Sequence, residues 1–285
     1  MTTVGAIDEN RRDENRRSGH ARAIVLAAGR GTRMRAGAAG VNLDADQADA
    51  ADRGLKGLIP FTGQPFLAYV LSSLADAGYK DVCLVTGPSA DPVREHFQRL
   101  KTTRLRLHFA VQHEPLGSAH ALMAAEDFSG DHHATVINSD NIYPVAALRA
   151  LREMEGSGLI GFRRDGLLEG NIDADRIAGY AVIETDENGT LAGITEKPGA
   201  TAAEEMSGDA LVSMTCWRFG PAIYTAIRAT PRSERGEYEI PDAVTIAMRD
   251  ERFLVVPMTA PVLDLSRRED IPRVAARLEG RRVAL

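Results

Sequence analysis

The sequence predicts an α/β fold built on a doubly wound, mostly parallel β-sheet. Short, continuous apolar runs, typical of strands buried on both faces, occur repeatedly in the first half of the chain. Between them lie segments whose apolar residues recur at helical spacing. Parallel strands with crossover helices require this regular alternation. The 285 residues, of which 44% are hydrophobic, are enough for one large domain with a sizeable core.

The elements of this half follow from their composition and their end signals. The run AIVLAA leads into Gly29, and the helical segment LAYVLSSLADAG ends in Gly78, a frequent helix stop. Asp91 and Pro92 suit the cap and the first position of another helix. The predicted strands are residues 23–28, 81–87, 105–112 and 134–140, and the predicted helices are residues 67–78, 91–100 and 118–128.

The second half departs from this order. Two strand-like runs joined through Asn188 and Gly189, a favoured turn pair, predict a β-hairpin over residues 179–198. The further predicted elements are strands at residues 210–219, 253–258 and 261–265, a helix at residues 221–227 and a closing helix from near Ser266. No boundary rich in Pro, Gly or Ser separates the halves, so we expect one domain over residues 22–285. The charged residues 1–21 predict a disordered tail.

Charge and hydropathy argue against several classes of protein. No apolar run reaches the ~18 to 20 residues of a membrane span, and the N-terminus lacks the apolar core of a signal peptide. The net charge of −6 disfavours nucleic acid as the main partner. Two lone thiols, Cys83 and Cys216, do not make a disulfide framework or a zinc site. We therefore expect a cytoplasmic protein with reduced thiols.

A glycine-rich turn follows the first predicted strand. In LAAGRGTRMR, residues 26–35, Gly29 and Gly31 let the backbone approach a ligand and turn amides towards phosphate oxygens. Arg33 adds a planar fork of donors that suits phosphate. A dinucleotide-binding loop would have a third glycine where Met34 stands, and a P-loop would end in Gly-Lys-Ser/Thr, so neither motif is present.

This turn and several later segments resemble the sugar-phosphate nucleotidyltransferases. The segments keep that family's order over residues 23–275; they are KGLIPFTGQPFLAYVL, QHEPLGSAHAL, NSDNIY, GYAVIETDENGTLAGITEKP, GEYEIPDAV and VLDLSRREDIPRV. The resemblance implies a Rossmann-like fold of the nucleotide-diphospho-sugar transferase type, with an acceptor-binding hairpin region. It also implies that an NTP reacts with a sugar 1-phosphate to give an NDP-sugar and pyrophosphate.

On the nucleotide side, the resemblance assigns phosphate and base contacts. Arg33 and Lys56 would neutralise the charge that gathers on the triphosphate in the transition state. Gln112 offers a donor and an acceptor to a pyrimidine edge, which favours UTP or dTTP over GTP, ATP and CTP. The nucleotide-binding residues would be Leu26, Ala27, Ala28, Gly29, Gly31, Thr32, Gln112, Gly117 and Ser118.

Residues 36–54 lengthen the loop between Arg33 and Lys56 relative to that family. Asp44 and Gly54 would cap and end a short helix within this insertion. A long loop at an active site is often functional, and a lid, a partner surface and plain surface decoration all remain open.

Two aspartates are assigned to a catalytic Mg²⁺ ion. Asp140 ends a predicted buried strand, where a doubly wound fold binds its ligands, and Asp264 ends another strand-like run. Mg²⁺ prefers oxygen ligands, and the resemblance implies that these two carboxylates hold it. The tail departs from the family at Leu265 and Ser266, which stand where Gly-Thr is usual.

The acceptor side also rests on the resemblance. Glu196 would accept the sugar hydroxyls and Lys197 would contact the sugar phosphate. Gly179 and Ser213 would complete this site, with Ser213 in the place of the family's asparagine. Ala181 replaces a glycine, and both departures leave the identity of the sugar open. Glu237, in GEYEIPDAV, would help to shape the acceptor side or have a structural role.

The sequence thus predicts a nucleotidyltransferase in which Arg33, Lys56, Lys197 and Mg²⁺ position the reactants and neutralise charge. One alternative is a cytidylyl- or guanylyltransferase acting on a non-sugar phosphate or phosphonate. A second is a catalytically inactive NDP-sugar sensor, and a third, an NAD-dependent dehydrogenase, is disfavoured by Met34. A homo-oligomer is compatible with the sequence but is not predicted by it.

Overall fold

The structure is a computed structural model that describes residues 21–36, 40–88, 92–195 and 210–285. Nearly all of the predicted disordered tail lies outside the described residues, and so do Glu196 and Lys197 of the predicted acceptor motif. The strands are β1 (Arg22–Leu26), β2 (Pro60–Phe61), β3 (Gln64–Pro65), β4 (Asp81–Thr86), β5 (Arg106–Val111), β6 (Ala134–Asn138), β7 (Asn141–Ile142), β8 (Ser157–Arg163), β9 (Ala181–Thr185), β10 (Leu191–Thr195), β11 (Leu211–Phe219), β12 (Phe253–Met258) and β13 (Leu263–Asp264). The helices are α1 (Thr32–Arg35), α2 (Ala45–Asp52), α3 (Phe66–Asp76), α4 (Pro92–Gln98), α5 (Ser118–Met123), α6 (Glu126–Ser129), α7 (Val145–Glu153), α8 (Arg164–Leu168), α9 (Ala174–Ile177), α10 (Ala222–Ala229), α11 (Ile240–Ala247) and α12 (Asp270–Leu278), with a 3₁₀ turn at Lys56–Leu58.

The first half of the chain forms the predicted parallel sheet. Its strands lie in the order β6-β1-β4-β5, and each neighbouring pair is parallel. Leu26 at the end of β1 is in register with Val85 of β4 and Asn138 of β6, so the carboxyl ends of these strands meet at one edge. Ligands of a doubly wound sheet bind at this edge.

Strand β11 joins the two halves of the sheet. It runs antiparallel to β8 on one side, whereas its partner on the other side changes along its length. Residues 211–213 pair with β9, and residues 216–219 pair with β6. The sheet therefore splits beside Met214 and Thr215, and the predicted hairpin, formed by β9 and β10, lies on one side of this split.

Apolar side chains pack on both faces of the sheet. Ala23 and Val25 belong to one buried cluster, whereas Ile24 belongs to a second cluster. Because successive residues of a strand point to opposite faces, a continuous apolar run is what a strand between two helical layers requires. The first cluster includes helix α3, which is buried from Phe66 to Ala75, and the second includes helices α10 and α11.

Two predicted helices have different bounds in the structure. The segment predicted as one helix over residues 118–128 forms two short helices, α5 and α6, separated by Ala124 and Ala125. The closing helix α12 begins at Asp270 rather than near Ser266. The reason is local, since the Asp270 carboxylate accepts hydrogen bonds from the backbone N–H groups of Ser266 and Arg267 and holds that segment in a turn.

Sequence patterning missed strand β8, although it lies inside the sheet. Its sequence SGLIGFR contains two glycines, which are depleted in strands. The structure explains them, because a Cβ at Gly158 would lie 2.3 Å from the backbone oxygen of Leu254, and one at Gly161 would lie 2.9 Å from a Leu211 methyl group.

Within the described ranges, no helix has the length and apolar character needed to cross a membrane.

Candidate active site

The glycine-rich turn leads from β1 into helix α1. Ala27 to Arg30 and Thr32 line a cavity of about 610 Å³, the first cavity, whereas Gly31 does not line it. Gly31 has a φ of 62°, and a Cβ there would lie 2.2 Å from the backbone oxygen of Gly54. In the structure Gly31 therefore packs against the insertion, and its predicted phosphate contact stays a prediction.

The first cavity lies at the carboxyl edge of the parallel sheet. Every predicted nucleotide-binding residue except Gly31 lines it, together with one predicted cation and one predicted metal ligand. These lining residues are Leu26, Ala27, Ala28, Gly29, Thr32, Gln112, Gly117, Ser118, Lys56 and Asp140.

Gln112 lines the first cavity with its amide nitrogen held by the protein. The residue is 6% exposed. Its Nε2 donates to the carbonyl oxygen of Gly117 at 3.0 Å and lies 3.2 Å from Nδ1 of His120. These contacts engage both amide hydrogens, so the amide oxygen is the group that a ligand can use. An acceptor here matches a base that carries an N–H at the centre of its Watson–Crick edge, as uracil, thymine and guanine do.

Gly117 has a φ of 104°, and a Cβ there would lie 2.5 Å from the carbonyl oxygen of Tyr238. The Ala119 N–H donates to this same carbonyl oxygen at 2.9 Å, so this amide at the start of helix α5 already has a partner. The hydroxyl of Ser118 accepts a hydrogen bond from the backbone of Ile240. Glu237 lines the first cavity and not the second, and its role stays a prediction.

Lys56 and Asp140, far apart in sequence, form an ion pair. Asp140 lies two residues after the end of β6, and Lys56 begins the 3₁₀ turn after the insertion. Both side chains are 19% exposed. Asp140 lines the first cavity and also a second cavity of about 340 Å³, so this ion pair stands where the two cavities meet.

The second cavity lies beside the split in the sheet. It brings together predicted residues of the phosphate, metal and acceptor sites, namely Arg33, Asp140, Gly179, Ser213 and Asp264, along with Ala181. Arg33 lines this second cavity and not the first, where Arg30 lies instead. Arg33 therefore lies apart from the other predicted nucleotide-binding residues, and its contact with the triphosphate stays a prediction.

A short two-stranded ladder brings the two predicted metal ligands together. Strand β13 pairs antiparallel with β7, which places Asp264 opposite Asn141. The Leu265 N–H also donates to the carbonyl oxygen of Asp140 at 2.8 Å. The two aspartates therefore occupy neighbouring positions although 123 residues separate Asn141 from Asp264.

The Asp264 carboxylate is held by four donors. Oδ1 accepts from the Arg176 guanidinium and from the backbone N–H of Ser266 at 2.9 Å. Oδ2 accepts from Nδ2 of Asn141 at 3.1 Å and from the hydroxyl of Tyr180 at 3.4 Å. A metal ion would therefore share an oxygen with one of these donors or displace it.

Arg176 also forms an ion pair with Asp270 at 2.6 Å. Arg176, Asp264 and Asp270 thus form one ionic network, and each of these side chains is at most 12% exposed. Burial lowers the pKa of the Arg176 guanidinium, but Asp264 and Asp270 outweigh burial and leave the pKa above its usual value. Burial raises the pKa of the Asp270 carboxyl, and Arg176 partly offsets that effect. Burial and Asp264 also raise the pKa of the Tyr180 hydroxyl.

Sequence reasoning missed several charged groups that line the second cavity or pair with its lining residues. Arg176 has its partners 88 and 94 residues away, so no local pattern indicates them. Arg235 and Glu239 line the cavity and form an ion pair at 2.7 Å. A signal for Arg235 was available, because it directly precedes the GEYEIPDAV segment. Glu196 and Lys197 lie outside the described residues, so their predicted roles remain predictions.

A comparison with protein-family models finds that the one described as nucleotidyl transferase matches residues 49–260. The chain belongs to this family. The match begins inside helix α2 and ends before Asp264, so the glycine-rich turn and the second predicted metal ligand lie outside the matched residues.

Known relatives and solved structures agree with this family. The glucose-1-phosphate thymidylyltransferase of Streptomyces griseus is 31% identical over 239 residues, which cover 82% of this chain and 60% of that protein. The UTP–glucose-1-phosphate uridylyltransferase AglF of Haloferax volcanii is 29% identical over 259 residues, covering 90% of this chain and 96% of that protein. A structure of UDP-glucose pyrophosphorylase from Acinetobacter baumannii superposes on this chain with a TM-score of 0.69 at 15% identity. The superposition covers 92% of this chain and 95% of that chain, so the two proteins share the fold. The chain thus spans 60% of the length of the Streptomyces relative and nearly all of the Haloferax relative.

Proposed function

We propose that this protein joins an NTP, with UTP or dTTP preferred, to a sugar 1-phosphate and releases pyrophosphate. The observation that carries the proposal is the Lys56–Asp140 ion pair, which stands where the two cavities meet. A nucleoside triphosphate in the first cavity and a phosphorylated acceptor in the second would meet at this pair. The thymidylyl and uridylyl transfer named for two relatives is the same reaction class.

The reaction needs little covalent chemistry from the protein. A phosphate oxygen of the acceptor attacks the α-phosphorus of the NTP and forms a new P–O bond. The bond from the α-phosphorus to the bridging oxygen breaks, and pyrophosphate leaves with that electron pair. A phosphate monoester is largely anionic at pH 7, so no general base is required. Positioning and charge neutralisation remain for the protein to supply.

Cations on the walls of the cavities suit this task. Lys56 would lie near the triphosphate, and its partner Asp140 keeps its position fixed. Arg33 and Arg235 line the second cavity, where they would bind the acceptor phosphate. Lys197 is proposed to join them from the segment outside the described residues.

The residues also fit a Mg²⁺ ion. This ion binds through one or two carboxylates together with substrate phosphates, and Asp140 and Asp264 supply carboxylates at neighbouring positions on the second cavity. Asp140 would be the principal ligand, since its carboxylate lies on both cavities, and Asp264 would contribute through an oxygen shared with its donors. When bound, Mg²⁺ would neutralise charge on the phosphates.

Gln112 supports a choice among the bases. Its free amide oxygen would accept the N3–H of uracil or thymine, whereas cytosine and adenine present a ring nitrogen acceptor at the corresponding position. An unpaired acceptor facing an acceptor is unfavourable, so CTP and ATP would bind less well.

A pyrophosphate-release screen tests the proposal. The purified chain would be assayed with UTP, dTTP, GTP, CTP and ATP against a panel of hexose 1-phosphates, with the sugar nucleotide product identified by mass spectrometry. We expect release with UTP or dTTP that depends on both the acceptor and Mg²⁺. Binding of sugar nucleotides without any pyrophosphate release would instead identify a sensor and would overturn the proposed activity.

A further inference from the structure

Two residues other than glycine have a positive φ in the described ranges. Thr62 has a φ of 46° and lies between β2 and β3, and Thr215 has a φ of 56° and lies within β11. The left-handed conformation is strained for a β-branched residue, because its side chain crowds the neighbouring backbone. Strained residues of this kind cluster at binding and catalytic sites.

Thr62 has a local explanation. Together with Gly63, whose φ is 77°, it forms the two-residue turn between β2 and β3, and turns of this type have positive φ at both positions. The hydroxyl groups of Thr62 and Tyr69 are also hydrogen-bonded at 2.5 Å. Thr215 lies inside a strand, so a hairpin turn does not explain its conformation.

Thr215 stands where the sheet splits. Ser213 is the last residue of β11 that pairs with β9, and Cys216 is the first that pairs with β6. The ladder with β8 is interrupted over the same segment. The buried Tyr143 hydroxyl lies 2.5 Å from the carbonyl oxygen of Met214 and 3.1 Å from that of Thr215, which fixes the backbone at this point.

The side chain at this position is not required by the backbone. A glycine would adopt the same φ without strain. Thr215 nevertheless lines the second cavity and is partly exposed, whereas its neighbours Met214 and Cys216 are buried. Relative to glycine, a threonine side chain adds as many non-hydrogen atoms as an acetyl group contains.

We propose that Thr215 is a specificity-determining residue that restricts the acceptor to sugar 1-phosphates without an acetamido group. Its side chain fills part of the second cavity at the split, and the Tyr143 contacts prevent the backbone from withdrawing to make room. Ala181, on β9 at the other side of the split, narrows the same cavity by a methyl group relative to glycine. This inference rests on the proposed function, because it assigns the acceptor to the second cavity.

The test compares two acceptors that differ in this group. Wild type, Thr215→Gly and Thr215→Ala would be assayed with α-D-glucose 1-phosphate and with N-acetyl-α-D-glucosamine 1-phosphate, using UTP and dTTP. Wild type should prefer the unacetylated acceptor by at least about tenfold in kcat/KM, the scale of a small group in a tight pocket. Thr215→Gly should reduce that preference by about tenfold, chiefly by raising kcat/KM for the acetylated acceptor. Thr215→Ala should fall between them, and it replaces the glycine variant if that variant does not fold.

Thr62→Gly is the matched control, because it relieves the same backbone strain at a turn that does not line the second cavity. It should leave the acceptor preference unchanged. An unchanged preference in Thr215→Gly or Thr215→Ala, or a wild type that uses both acceptors equally, would overturn the role of Thr215 while the proposed function stands. A wild type that releases no pyrophosphate with either acceptor or with the wider hexose 1-phosphate panel would overturn both.

Discussion

The two cavities share Asp140 but are lined by different kinds of chemical group. The first is lined largely by the glycine-rich turn and strand ends, and its glycines allow backbone segments to approach closely, as Gly117 does with Tyr238. The second has several charged lining residues, among them Asp264, which the buried Arg176 holds in place. Outside these glycines, a side-chain change leaves the backbone contacts of the first cavity in place, whereas removing one member of a buried ionic network leaves its partners unpaired.

This difference predicts where substitutions act. Around the first cavity, changes should affect nucleotide binding and catalysis with little effect on folding. Around the second cavity, the same side chains that position the acceptor also hold the chain together, so stability and function should change together. Four experiments test this division.

Arg176→Met should lower the free energy of unfolding by about 3 to 5 kcal/mol. The substitution leaves the buried carboxylates of Asp264 and Asp270 without their cation, and losing one partner of a buried ion pair has an effect of this size. Urea unfolding monitored by circular dichroism measures the change. Arg53→Met is the matched control, since Arg53 pairs with Asp49 at the surface and should change stability by no more than ~1 kcal/mol. Equal effects of the two substitutions would show that the network is not a major contribution to folding.

Asp140→Asn should lower kcat by at least ~10²-fold, the scale of losing one major charge-stabilising group. The side chain lies at the junction of the two cavities and is partly exposed, so the melting temperature should change little. Steady-state kinetics at saturating Mg²⁺ and thermal unfolding separate the two effects, with the exposed Asp131→Asn as control.

Activity should also disappear in EDTA and return with Mg²⁺ or Mn²⁺. An Asp140→Asn enzyme within a few-fold of wild type, or full activity in EDTA, would contradict the site assignment.

The base preference tests the first cavity alone. UTP or dTTP should exceed ATP and CTP by more than tenfold in kcat/KM, because a mispaired buried hydrogen-bonding group costs ~1 to 3 kcal/mol. Gln112→Met should weaken this preference without a comparable loss of stability, whereas Gln98→Met, at an exposed position, should leave it unchanged. A wild-type preference for ATP would show that Gln112 does not select the base.

The same division explains how much the sequence could predict. The parallel half of the sheet was predicted strand by strand, because its strands are short, mostly apolar runs that alternate with helical segments. Nearly all of the predicted nucleotide-binding residues line the first cavity, since its turn and strand ends are local in sequence and their glycines are visible signals. Gly31 is the exception, because its close contact with Gly54 is made through the insertion.

The second cavity was predicted less completely for a physical reason. The ionic network that holds Asp264 joins distant segments, and nothing near Arg176 in the sequence indicates that it binds Asp264. Strand β8 was missed because its glycines, which the packing requires, resemble those of a loop. The strain at Thr215 depends on the change of partner along β11, which no local pattern contains.

The insertion was predicted to hold a helix capped by Asp44, and helix α2 confirms this. Its role was left open between a lid, a partner surface and decoration. Ala50 and Ala51 are buried against the core, and the insertion's Gly54 supports Gly31 of the glycine-rich turn. Such docking favours a fixed wall of the site over a mobile lid.

Gln47→Ala tests whether helix α2 is a fixed wall of the site or a mobile lid. Its expected effect is the smallest of the four. Nε2 of Gln47 donates to the carbonyl oxygen of Pro60 at 3.0 Å, which attaches helix α2 to the β2–β3 hairpin without touching either cavity. If the helix is a wall, losing this bond should lower the free energy of unfolding by about 0.5 to 1.5 kcal/mol, because the apolar contacts of Ala50 and Ala51 remain. The KM for the NTP should stay within about twofold of wild type. If the helix is a lid, detaching it should instead raise that KM several-fold at nearly unchanged stability. Urea unfolding and steady-state kinetics on the same preparation, with Gln98→Ala as the exposed control, decide between the two.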